Sequence, residues 1–200
     1  MIKIYEIERT RDIDAAGRNF DLIVEKHPWI RNLYEVATPI LFRNASPRSK
    51  LLELRKLSDR VADAISDNVA CKGNGCSHCC YQAVTITSIE AGWLEEASGR
   101  KASLNVHRGL EELEQMRADF TGQPCPFLAK DGACSVYASR PIACRLSMNI
   151  GASPFFCDTS IPAELSSVPA LDLTQFWIIY SQITEKATLG DVRDFFNGDV

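Results

Sequence analysis

Eight cysteines in two groups are the residues of this 200-residue chain whose types and spacing most clearly predict chemistry. The groups are Cys71-x4-Cys76-x2-Cys79-Cys80 and Cys125-x8-Cys134-x9-Cys144-x12-Cys157. Thiolates are preferred ligands of zinc, copper(I) and iron–sulfur clusters and poor ligands of magnesium and calcium. The spacing therefore predicts a metal site built from two separate stretches of chain, with all eight cysteines as candidate ligands.

The cellular compartment decides between metal ligation and disulfides, because cysteines pair in oxidising environments and stay reduced in the cytosol. The N-terminal sequence MIKIYEIERTRDID carries charges every few residues and lacks the apolar stretch of a signal peptide. The most apolar uncharged run, residues 173–184, is too short to span a bilayer. We expect a cytoplasmic protein with no membrane partner whose cysteines bind metal. Four disulfides are the alternative.

The composition bears on the other partners. A net charge of −4 and a pI near 5.4 argue against nucleic acid, because its binders need a basic patch for the phosphates. The sequence contains neither a GxGxxG motif nor a P-loop, so it predicts no nucleotide site. The expected partner is thus a metal ion or cluster, and a protein partner stays open.

The first cysteine group constrains the site geometry. Gly73 and Gly75 supply the positive φ angles that a tight ligand loop needs. The side chains of adjacent residues such as Cys79 and Cys80 point in different directions and seldom reach one mononuclear ion. One of the two is therefore a bystander, or they serve two sites, or they bind different irons of a larger cluster.

Basic residues beside the cysteines are candidates to offset the negative charge of a thiolate site. They are Lys72, Lys130, Arg140 and Arg145. Arg145 directly follows Cys144, so we expect its side chain near a cysteine sulfur. A solvated surface position is the alternative for the other three.

Residues 1–70 contain no cysteine and show helical periodicity. One apolar face begins after a predicted cap at Asp12, and Pro28 ends it; its members are Ile13, Ala16, Phe20 and Ile23. Ser46-Pro47 is typical of a helix start. The stripe that follows is expected in the core and consists of Leu51, Leu54, Leu57, Val61 and Ile65.

Further signals surround the second cysteine group. Thr87 and Glu90 form a capping-box pattern that starts a helix ending at Gly99. Asp131-Gly132 predicts a β-hairpin turn between the segments bearing Cys125 and Cys134. Asp172 with Gln175 predicts the start of a last helix that packs on the core through Leu173, Phe176, Trp177, Tyr180 and Ile183.

These patterns predict a mainly α fold, a compact helical domain with a small β-hairpin and a cysteine-rich metal-binding core. We expect a helical N-terminal region at 1–70, a cysteine-cluster core at 71–160 and a C-terminal helical segment at 161–200.

The cysteine segments CKGNGCSHCC and CPFLAKDGACSVYASRPIACR, followed by Cys157, resemble the YkgJ-type cysteine-cluster proteins, a zinc- or iron-chelating domain family. The resemblance covers residues 71–157, and CPFL…C.VY..RP..CR is its most specific part. It implies a domain that holds an iron–sulfur cluster or zinc, of which we favour the cluster. Flagellin lysine methylases carry a related cluster, so the alternative is a protein-modifying or redox enzyme that uses the metal centre. The sequence leaves enzymatic activity open.

Overall fold

The computed structural model describes residues 2–71, 73, 76–103, 109–162, 165–166 and 168–197. Within this part of the chain the α-helices are α1 (Ile2–Lys26), α2 (Leu33–Phe42), α3 (Pro47–Ile65), α4 (Ser88–Ser98), α5 (Leu110–Phe120), α6 (Ile142–Leu146), α7 (Thr174–Ile183) and α8 (Val192–Phe195). The strands are β1 (Thr85–Thr87) and β2 (Leu189–Asp191). Short 3-10 helices span Pro28–Asn32, Ser66–Asn68, His78–Tyr81, Tyr137–Ser139 and Phe155–Cys157. None of the helices described is long and apolar enough to cross a membrane.

The chain divides into two units, each assembled from two stretches of sequence. The first unit contains Met1–Cys71 and Arg145–Glu185, and the second contains Lys72–Cys144 and Lys186–Val200. The three segments predicted from the sequence are each continuous, whereas both units combine distant stretches. The boundary between Cys144 and Arg145 falls inside α6.

In the first unit, α3 forms as predicted. Ser46 caps it by accepting a hydrogen bond from the Ser49 backbone N–H at 3.2 Å, and Pro47 occupies the first turn. The expected stripe from Leu51 to Ile65 is buried. Helix α7 packs against α2 and α3 and buries Phe176 and Ile179 completely. The predicted packing of this helix on a helical core is thus confirmed. Its predicted start is wrong, because Leu173 is the N-cap and its side chain makes no capping hydrogen bond, and α8 follows it in sequence.

Helix α1 differs from the sequence prediction. It ends at Lys26, as Pro28 predicts, but it begins at Ile2, so Asp12 lies in its interior and does not cap it. Asp12 is fully buried, and its Oδ1 accepts a hydrogen bond from the Ala152 N–H at 2.9 Å. Ile13 is 57% exposed. Asp12 therefore faces the loop at 149–152 and accepts a hydrogen bond from it. Apolar periodicity does not predict such a long-range contact.

The second unit is built around the antiparallel pair β1–β2, in which Ile86 pairs with Gly190. The capping box of Thr87 and Glu90 starts α4, and Gly99 ends it with φ 72°, both as predicted. One apolar core joins the strands, α4 and α8; its buried members are Ile86, Ala91, Leu94, Phe127, Val136, Val192, Phe195 and Phe196. Cys125 and Cys134 pack against this core partly buried, so it supports two candidate ligands.

The predicted hairpin is smaller than expected. Leu128 and Cys134 form a single antiparallel bridge, and Gly132 turns the chain with φ 81°. Asp131 supports the turn by accepting a hydrogen bond from the Ala133 N–H at 3.0 Å. The two-stranded sheet is formed by β1 and β2, which are distant in sequence. The predicted class, mainly α with a small antiparallel β element and a cysteine-rich region, is confirmed.

Candidate metal centre

Five cysteines from both sequence groups lie together in the second unit. Cys79 and Cys80 lie on the 3-10 helix His78–Tyr81, and the Cys125 N–H donates to the Cys80 carbonyl at 2.7 Å. The sulfurs of Cys125 and Cys134 act electrostatically on Cys80, and those of Cys79, Cys125 and Cys134 act on Cys144. The predicted convergence of the two groups is therefore confirmed within this unit.

The side chains of Cys79 and Cys80 are hydrogen-bonded to each other. The thiol of Cys80 donates a hydrogen bond to the Cys79 sulfur, and together with the Arg140 guanidinium this bond lowers the pKa of Cys79 to about 7. The same hydrogen bond, burial and the neighbouring sulfurs raise the pKa of Cys80. The two side chains thus face each other despite their adjacent positions, which the sequence argument did not anticipate.

Burial governs the other two shifted thiols. It raises the pKa of Cys125, although a backbone hydrogen bond from Phe127 and the guanidinium of Arg193 act in the opposite direction. It raises the pKa of Cys144 well above its ordinary value, and the sulfurs of Cys125 and Cys79 add to the effect. Both shifts favour the protonated thiols, because gathering several negative charges in a poorly solvated space is unfavourable.

The cations that act on these sulfurs are Arg140 and Arg193. Arg140 lies over the Tyr137 ring, 3.7 Å from its centroid, and acts on Cys79 and Cys144. Arg140 was among the predicted cations, whereas Arg193 lies far along the chain and was missed. Lys130 is exposed, and Lys72 falls outside the described residues.

Arg145 was predicted beside a cysteine sulfur, and that contact stays a prediction. Its side chain is buried in the first unit, where its guanidinium forms an ion pair with the Asp59 carboxylate of α3. A buried guanidinium needs a counter-charge, and α3 supplies one.

The first unit holds Cys71 and Cys157, which share one hydrogen-bond donor residue. Asn149 donates from its backbone N–H to the Cys71 sulfur at 3.5 Å and from its side-chain Nδ2 to the Cys157 sulfur at 3.3 Å. Its Oδ1 accepts from the Gly151 N–H at 2.7 Å, which fixes the orientation of the amide. Asn149 thus brings one cysteine from each sequence group together, and no sequence motif marked it.

The loop before Cys79 carries the remaining cysteine. The Cys76 N–H donates to the Gly73 carbonyl at 3.0 Å, and Gly73 has the predicted positive φ, 76°. Gly75 falls outside the described residues, and His78 is exposed.

Glu90 links the helix cap to the segment bearing Cys144. Its Oε2 accepts from the backbone N–H and the hydroxyl of Thr87 at 3.0 and 3.1 Å, and its Oε1 accepts from the Ile142 N–H at 3.0 Å. The capping role predicted for Glu90 is confirmed. The second carboxylate oxygen also positions the first turn of α6, two residues before Cys144.

The donor chemistry fits zinc or an iron–sulfur cluster. All eight cysteines are partly accessible, and none of the alternative disulfides is formed. The donors gathered in the second unit are all sulfur, which suits soft metals and disfavours magnesium and calcium. Among the described residues, no three Cys, His, Asp or Glu side chains surround one point at the distances of a single bound ion. Sulfur atoms would have to turn towards a metal as it binds.

Comparisons with known proteins agree with this chemistry. Residues 70–160 match the model of the CxxCxxCC family, described as "Putative zinc- or iron-chelating domain". A search of the curated proteins found no match, and neither did a search of the solved structures. The family match supports metal binding and confirms the resemblance that the cysteine segments predict. The chain is thus similar to the CxxCxxCC family over residues 70–160.

Proposed function

We propose that the second unit binds a metal centre through its cysteine thiolates and that this centre is an iron–sulfur cluster in preference to zinc. The observation that carries the proposal is that five thiols from both sequence groups lie close together. They are near enough for their charges to interact with one another and with the guanidinium groups of Arg140 and Arg193. Four thiolates around either centre leave a net negative charge, which these guanidinium groups would offset.

The preference for the cluster over a single zinc ion rests on the sequence. Adjacent residues such as Cys79 and Cys80 seldom bind one mononuclear ion. An iron–sulfur cluster accepts one thiolate on each of several irons, so both residues can be ligands.

All eight cysteines remain proposed ligands, with different supporting observations. Five of them are supported by the interactions among their nearby sulfurs: Cys79, Cys80, Cys125, Cys134 and Cys144. Cys76 is supported by its position in the loop that precedes Cys79. Cys71 and Cys157 are supported by their common donor, Asn149, since N–H groups directed at sulfur stabilise thiolates.

We also propose a cytoplasmic setting. Cysteines that bind metal must stay reduced, which a reducing compartment favours, whereas oxidising compartments favour disulfides.

Anaerobic purification followed by metal and acid-labile sulfide analysis tests the proposal. We expect iron and sulfide in similar amounts per chain and a brown protein that absorbs broadly in the visible range. Zinc without sulfide in a colourless protein would refute the cluster but keep the metal site. A protein that takes up neither zinc nor iron with sulfide under reducing conditions would refute metal binding altogether.

Cysteine variants then test the ligands. Cys144→Ser should lower the metal content, because Cys144 belongs to the five-thiol group. The matched control is Ser147→Ala, which lies three residues further along the chain at an exposed position. Equal metal content in both variants would remove Cys144 from the ligand set.

A further inference from the structure

We infer that Arg193, which lies outside the family-matched segment, positions the two cysteine-bearing segments of the second unit for metal binding. The inference rests on the proposed function, because it assigns Arg193 a role at the proposed metal centre. Arg193 lies on α8 and is only 4% exposed.

The guanidinium of Arg193 contacts both segments. Towards the first cysteine group, Nη2 donates to the Cys80 carbonyl at 3.1 Å and Nη1 donates to the Gln82 carbonyl at 3.3 Å. Towards the second group, Nη2 donates to the Gln123 carbonyl at 2.5 Å and Nε donates to the Pro124 carbonyl at 3.2 Å. One side chain thus joins the backbone carrying Cys80 to the two residues that precede Cys125.

Arg193 is itself held in place. Its Nη1 donates to the Asp191 Oδ1 at 2.9 Å, and the same carboxylate oxygen accepts from the Arg193 backbone N–H at 2.8 Å. The Phe120 ring lies 5.7 Å from the guanidinium carbon. Because Asp191 is fully buried at the end of β2, the sheet fixes the direction of the guanidinium.

The contacts need the planar fork of arginine. Four backbone carbonyls and one carboxylate surround the group, and an arginine offers five N–H donors in a fixed plane. A lysine carries the same charge but has three donors on one atom, so it cannot reach both segments in the same way. The same two segments are also joined by a direct hydrogen bond from the Cys125 N–H to the Cys80 carbonyl. This bond aligns the two cysteine residues with each other.

The test uses Zn²⁺ and Co²⁺ as probes on the full reduced chain under anaerobic conditions. Arg193→Lys keeps the charge, and Arg193→Gln keeps a planar donor without the charge. The matched control is Arg100→Lys, because Arg100 also donates to backbone carbonyls of the second unit, those of Pro126 and Phe196. Zn²⁺ affinity comes from competition with a chromophoric chelator, and circular dichroism checks that each variant is folded.

We expect both Arg193 variants to bind Zn²⁺ about 10-fold to 100-fold more weakly, the range typical of residues that orient metal ligands. At saturating Co²⁺, their thiolate-to-cobalt absorption should differ from that of the wild type, which loss of stability alone would not cause. Arg100→Lys should retain both properties. Wild-type affinity and spectrum in folded Arg193→Lys would overturn the inference while leaving the proposed function intact. A wild-type chain that binds neither ion would overturn both.

A measurement on the wild type covers the case in which the variants do not fold. The Arg193 Nε–H, assigned by nitrogen-15 NMR, should shift when Zn²⁺ binds, because its acceptor lies next to Cys125. An unchanged Nε–H resonance in the zinc-bound protein would overturn the inference.

Discussion

Glu90→Gln is the substitution that most sharply tests how the structure supports Cys144. The buried carboxylate accepts hydrogen bonds through both oxygens, from Thr87 on one side and from the Ile142 N–H on the other. Glutamine has nearly the same shape, but one of its two terminal atoms is an NH₂ donor. In either orientation of the amide, one backbone N–H therefore faces another donor.

The magnitude follows from those contacts. A hydrogen bond to a charged group contributes about 1.5–3 kcal/mol, and a buried donor left without an acceptor costs about 1–3 kcal/mol. We expect Glu90→Gln to lower the free energy of unfolding by about 2–3 kcal/mol. With a urea m value of about 2 kcal/mol/M, the unfolding midpoint should fall by about 1–1.5 M.

Urea unfolding of the metal-free, reduced protein measures this effect without a contribution from bound metal. The control is Glu96→Gln, the same chemical change at an exposed position of α4, which should alter stability by less than about 0.5 kcal/mol. Equal midpoints for the two variants would refute the assigned role of Glu90. A changed m value would instead show that the unfolding transition itself had changed.

Three further predictions concern the loops and the thiols. Gly151→Ala should destabilise the protein by about 1–3 kcal/mol, because the added Cβ would lie 2.9 Å from Asn149 Oδ1. Gly17→Ala is the control and should not destabilise it, because no atom lies within 4 Å of the added Cβ. Thermal unfolding compares the two variants. Gly132→Val should cost about 1–3 kcal/mol because φ is 81°, while Gly132→Asn should be tolerated better; equal melting temperatures would contradict this. In the metal-free protein, iodoacetamide should alkylate Cys79 with a midpoint near pH 7, because its pKa is lowered to about 7. The stability that the Cys79 thiolate contributes should be lost as the pH falls through that value. An alkylation midpoint near pH 9 would contradict the hydrogen bond from Cys80.

Local signals explain what the sequence predicts correctly. The caps at Ser46 and Thr87 depend on residues within one helical turn, so their patterns are readable without tertiary information. The turn at Gly132 is equally local. The cysteine spacing predicts thiol chemistry because closely spaced cysteines such as Cys76-x2-Cys79 are typical of metal sites.

Long-range partners explain what the sequence does not predict. Arg193 acts on a segment about 70–110 positions earlier in the chain, a separation at which no local periodicity applies. No sequence motif predicts the hydrogen bonds of Asn149 and Asp12, because these bonds depend on how the chain at 149–157 folds. The ion pair of Arg145 with Asp59 of α3 also joins residues far apart in sequence, so adjacency to Cys144 does not predict it.

X-ray absorption at the metal edge of the metal-loaded protein tests the central claim most directly, because it reports the atoms bound to the metal. Thiolate ligation by the five-cysteine group predicts a first shell of four sulfur atoms at about 2.3 Å, for zinc or for iron. A cluster adds a second shell of iron neighbours, which zinc alone lacks. A first shell dominated by nitrogen or oxygen would contradict the claim that these cysteines hold the metal.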